Sequence, residues 1–133
     1  MLEFLILYGI AFVTFFVVDL VWLGLVAKPF YDQHLGHLLR KPVNWTAAII
    51  FYLLFIAGLV FFAVMPATEA ASLPMALLYG AGFGFITYAT YDLTNLATLK
   101  DWPLKVTIVD LAWGTTLGTV ITTITYLIYH WIF

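Results

Sequence analysis

The chain has 133 residues, 65% of them hydrophobic and 9% charged, with a formal net charge of -2 and a mean hydropathy of +1.07. A soluble domain is about half apolar and a quarter charged, and one this small exposes too much of its surface to hide so apolar a chain. A water-soluble fold is therefore excluded. Cysteine is absent, which excludes disulfides and thiol chemistry, and five basic residues are too few for a nucleic-acid surface.

A helix rising ~1.5 Å per residue needs ~20 mostly apolar residues to cross a hydrocarbon core of ~30 Å. Four segments meet this, approximately 2–27, 45–65, 73–99 and 104–131. They predict an all-α fold, an integral membrane four-helix bundle forming a single transmembrane domain over residues 1–133. The first segment has acidic Glu3, a long apolar run from Phe4 to Ala27 and no small-x-small cleavage site, so it reads as a retained span. Along it Tyr8, Phe12, Phe15, Asp19 and Trp22 recur in steps of three or four, which places them on one helical face.

Between Pro29 and Val43, the apolar residues Phe30, Tyr31, Leu35, Leu38 and Leu39 recur at roughly helical spacing. This predicts a short interfacial helix between the first two spans. His34 and His37 stand there three apart, a spacing that could put two metal ligands on one face. Without a third ligand nearby, they read better as imidazoles at a headgroup surface. The second span carries no charge, and only Thr46, Tyr52 and Gly58 interrupt its aliphatic and aromatic run, so it is expected to be the lipid-facing helix.

On the third span Gly80, Gly84, Tyr88, Asp92 and Asn95 share a face, the two glycines forming a small-xxx-small contact. Tyr91 adjoins Asp92. On the fourth, Asp110, Trp113, Gly114 and Gly118 repeat the arrangement. All five basic residues (Lys28, Arg40, Lys41, Lys100 and Lys105) lie in or beside the first and third connections. Positive charge stays on the cytoplasmic side, so both chain ends are expected outside, with His130 and Trp131 anchoring the outer interface.

The rise per residue then fixes depths. Asp19 lies ~13 Å from Lys28, Asp92 ~12 Å from Lys100 and Asp110 ~7.5 Å from Lys105. All three fall in the cytoplasmic half. An Asp at the centre of a membrane helix costs ~2.5 to 3.5 kcal/mol on insertion scales, and such acids are functional-site candidates by default. The expected bundle packs the first, third and fourth helices through their glycines and aims the acids at a common cavity. Its candidate ligand-binding residues are Asp19, Trp22, Tyr88, Tyr91, Asp92, Asn95, Asp110 and Trp113. The competing structural roles are an interfacial pair between Asp110 and Lys105, and a tryptophan belt for Trp22 and Trp113.

The stretch Tyr91-Asp92-Leu93-Thr94-Asn95-Leu96-Ala97-Thr98-Leu99 with Trp102-Pro103-Leu104, then Asp110 and Trp113-Gly114, resembles the bacterial domain-of-unknown-function family 2177. The similarity runs back through Leu35-Gly36-His37, Trp22 and Asp19, and so spans nearly the whole chain. The resemblance implies a multi-pass protein of the bacterial inner membrane, and it brings no reaction or cofactor with it.

Three functions compete. The first is binding or transport of a proton, cation or amine-bearing molecule by the carboxylates, with a homodimer supplying any pathway that four helices lack. The second is a membrane-embedded enzyme acting on a lipid or isoprenoid, with the aspartates as acid and base. No nucleophile motif, metal box or phosphate-binding cluster supports it. The third is an accessory subunit whose acids bond across helices, and its mark would be acids fully satisfied within the protein.

Overall fold

A computed structural model describes residues 1–133, in which four long helices and no strand appear. They are α1 (Leu2–Leu35), α2 (Trp45–Glu69), α3 (Leu73–Thr98) and α4 (Leu104–Ile132), each long and apolar enough to cross a membrane. Side chains cap two of them at the start. Asn44 accepts from the Ala47 N–H at 3.2 Å, and Ser72 accepts from the Met75 N–H at 3.2 Å, each satisfying one of the donors that a helix N-terminus leaves free.

Two helices run through a proline. Pro29 lies inside α1 and Pro66 inside α2, and the stretches Leu23–Ala27 and Val60–Val64 just before them are π-helical. A proline ring clashes with the carbonyl four residues earlier and offers no N–H to it. Those carbonyls belong to Leu25 and Phe62, the central residue of each π turn. The wider turn makes room for the ring, so the helix continues instead of ending.

This corrects the expectation of a separate interfacial helix. Lys28–Leu35 is helical, but it extends the first span directly, and a non-helical connection from Gly36 to Asn44 leads to α2. The end of the bundle that holds this connection also holds the Leu99–Pro103 turn, and is called the basic end below.

The second helix is corrected as well. The main core consists of Leu7, Ala11 and Phe15 of α1, Leu117 and Ile121 of α4, and six residues of α2: Phe55, Ile56, Leu59, Val60, Ala63 and Val64. Far from being the lipid-facing member, α2 supplies most of it. Lipid and protein interior are equally apolar to a side chain, so hydropathy alone could not separate the two.

The glycines do join α3 to α4. A Cβ on Gly80 would stand 2.5 Å from the Gly118 carbonyl oxygen, and one on Gly84 would overlap the Gly114 carbonyl. The two backbones are therefore in direct contact. This α3–α4 pairing is the most extensive helix contact in the molecule, with α4 also packed on α1. The backbone of α2 approaches α3 most closely along Val60–Glu69, and before that Gly58 and Phe55 meet Phe83 of α3.

Candidate functional site

Asp92 lies six residues before the end of α3 and Asp110 six residues after the start of α4. The helices are antiparallel and joined by a short turn, so the two acids reach the same depth, ~9 Å from the basic end of the helices. Glycine contact holds the helices close enough for the two carboxyl groups to be near neighbours across it. Carboxyl groups bond to each other only when one carries a proton.

Their surroundings differ. Asp92 is 0% exposed, and no donor reaches either of its oxygens. Asp110 is 6% exposed and accepts a hydrogen bond from the Tyr31 hydroxyl. Tyr31 arrives there because α1 continues past Pro29. Its segment is held by Leu35, which packs with Trp102 and Val106, and by Phe30 against the same cluster. Trp102 is fixed in turn by an Nε1–H bond to the Thr107 hydroxyl at 3.0 Å.

A cleft of ≈ 330 Å³ opens beside the pair, lined by Phe51, Thr87, Tyr88, Tyr91 and Asp110. Tyr88 forms its inner wall: the ring lies against Gly114, where any Cβ would overlap it, and meets Phe55 edge-on at 6.2 Å. Tyr91 is 59% exposed and stands edge-on to Trp102 at 5.9 Å, with Asn95 beside its hydroxyl.

The expected residues thus divide. Tyr88, Tyr91, Asp92, Asn95 and Asp110 gather around one point. Asp19 is half-buried on α1 and does not join the carboxyl pair; Tyr52 and Tyr88 are within electrostatic range of it. Of the three acids expected at one cavity, Asp110 lines the cleft, Asp92 is buried beside it, and Asp19 approaches from α1 near Tyr88. Asp110 has its bond from Tyr31 and not from Lys105.

Trp22 and Trp113 stack at 4.2 Å with their planes 6° apart. They lie at the α1–α4 crossing, beside an apolar groove formed with Val17, Val18, Val21, Leu25 and Val26, and outside the cleft. His34 bonds through Nδ1 to the Phe30 carbonyl at 2.9 Å and packs on the Phe30 ring, while His37 is exposed. No three His, Asp or Glu side chains come together in a group able to hold a metal.

Three residues around the site were missed from the sequence: Tyr31, Phe51 and Thr87. Tyr31 carried a signal, the helical spacing that runs past Pro29, but the proline suggested a helix end. Phe51 and Thr87 carried none, because nothing in an apolar run marks which aromatic lines a gap.

A family described as predicted membrane protein (DUF2177) matches residues 4–127 of the chain. No curated protein and no solved structure matches it.

Proposed function

The chain belongs to the DUF2177 family of predicted membrane proteins, and on that premise we propose that it binds a small cationic ligand of the amine class at Asp92 and Asp110. One observation carries this: Asp92 is wholly buried, with both carboxylate oxygens lacking a donor. Buried polar groups are nearly always bonded, and an acid left without a donor in a membrane helix is an expensive feature. An accessory subunit with acids serving as glue would have satisfied them internally.

The cleft favours an amine over a metal ion. Its walls are aromatic, from Phe51, Tyr88 and Tyr91, and ring faces attract ammonium groups. A divalent ion would call for several oxygen or nitrogen ligands, which the site does not assemble. At ≈ 330 Å³ the cleft falls near the lower limit of small-molecule pockets, ~300 to 1,000 Å³. The entering ammonium would donate to Asp110, which lines the cleft, with Asp92 beside it as the second carboxylate and any proton between the two released. Basic residues at the connections support an orientation with both chain ends outside the bacterial inner membrane, which puts the cleft in the cytoplasmic half.

The test is thermal stability of the purified protein in detergent with methylammonium, guanidinium, potassium or magnesium. Wild type should be stabilised by the two organic cations, and Asp92→Asn should lose the effect. Equal behaviour of the two proteins toward every cation contradicts the proposal.

A further inference from the structure

The cleft has its mouth between the exposed side chains of Phe51 and Tyr91, each ~9 to 10.5 Å inside a helix apolar enough to span a membrane, and from this geometry we infer that its ligand is an amphiphile, an amine carried on a hydrocarbon chain that enters sideways from the bilayer. The inference rests on the amine-binding reading above and adds the substrate class.

Toward the basic end, protein packs behind Asp110. Tyr31 donates to Asp110, and Leu35, Trp102 and Val106 pack behind it as a buried apolar plug. Toward the opposite end, the helices that carry both acids are in backbone contact at Gly80, Gly84, Gly114 and Gly118, and the Tyr88 ring lies on Gly114. No gap remains there for a water-borne solute. At the inner end of the seam between α2 and α3, Phe55 of α2 meets Tyr88 of α3, and Phe55 meets Phe15 of α1 at 5.9 Å.

The remaining side lies between α2 and α3. The two backbones are closest from Val60 onward, and Gly58 and Phe55 still meet Phe83 and Tyr88 across the seam, so the gap beside α3 opens at the level of Phe51. Phe51 flanks it from α2 and Tyr91 from α3, and they are 50% and 59% exposed. Both belong to helices apolar enough to span a membrane. The surface exposed at this mouth is accordingly hydrocarbon-facing. A ligand entering there from the bilayer can leave its chain in the gap while its ammonium meets Asp110, which lines the cleft.

The experiment compares dodecylammonium with methylammonium on wild-type protein in nanodiscs of zwitterionic lipid, with Asp92→Asn discs as the blank for partition into lipid. Because the chain has no cysteine, Phe51→Cys can be labelled with a bulky maleimide at that position alone, and the same protein is measured before and after. Binding that depends on Asp92 should be about tenfold or more tighter for dodecylammonium, the effect of burying roughly two methylene groups, and the label should abolish it. If methylammonium binds as tightly and the label changes nothing, lateral entry is overturned while the amine site stands. If neither amine binds in a manner that depends on Asp92, both readings fall.

Discussion

Asp92→Asn should raise the stability of the unliganded protein, although it alters a fully buried residue. Asp92 faces Asp110, and no neighbouring residue donates to it, so the two acids can bond to each other only through a proton. An amide in the same volume supplies an N–H that can bond to Asp110 at any pH. A net hydrogen bond contributes ~0.5 to 1.5 kcal/mol, which for a chain of this length is about 4 °C in Tm on the scaling of soluble proteins. The same change should erase the response to ligand, which in wild type reaches ~2.7 kcal/mol at a hundredfold excess over Kd. Thermal melts of the two proteins, with and without dodecylammonium, measure both effects. A loss of ~2 kcal/mol or more in unliganded Asp92→Asn would refute the reasoning, because it would mean that the carboxylate already has partners worth keeping.

Three further substitutions test the frame around the site. Gly84→Ala should destabilise by ~1 to 3 kcal/mol or more, since its Cβ overlaps the Gly114 carbonyl, whereas Gly82→Ala, with nothing within 4 Å, should be neutral or gain up to ~1 kcal/mol of helix propensity; side-by-side melts decide. A double-mutant cycle on Trp22→Ala and Trp113→Ala should give a coupling of ~0.5 to 1.5 kcal/mol from their stacked rings. Tyr31→Phe should cost ~1 to 3 kcal/mol by removing the donor of Asp110, and should speed amide hydrogen exchange across Lys28–Leu35, the segment that this bond fastens.

The spans were legible because length and hydropathy decide them, and the connections between them are too short and polar to cross. What hydropathy could not give was the inside of the bundle. Phe55, Ile56 and Leu59 look the same to a hydropathy scale whether they meet lipid or protein, so α2 was read as peripheral when it carries the core. Pro29 misled in a different way. It marks a helix end under the usual pattern, and only the π turn at Leu23–Ala27 lets α1 continue and bring Tyr31 to Asp110.

The site was half legible. The stripe from Gly80 to Asn95 and the one from Asp110 to Gly118 did mark the contact faces of α3 and α4, because small residues and acids at a spacing of three or four have few other uses in a membrane. Depths counted from lysines nevertheless misjudged the pairing. Lys100 lies beyond the end of α3 and Lys105 inside α4, so the two counts began at different levels and made Asp110 shallower than its partner. Counting from the helix ends restores the match. Asp19 agreed in depth but not in direction, since depth says nothing of which way a face turns around the bundle.

Infrared difference spectroscopy of the aspartate carboxyl groups, recorded as dodecylammonium is added to protein in nanodiscs, tests the central claim most directly. A cation that takes the place of the shared proton should remove a protonated-carboxyl band and raise a carboxylate band in wild type, with neither change in Asp92→Asn. An unchanged carboxyl spectrum in wild type, under conditions where the amine is bound, would contradict the assignment of Asp92 and Asp110 as its site.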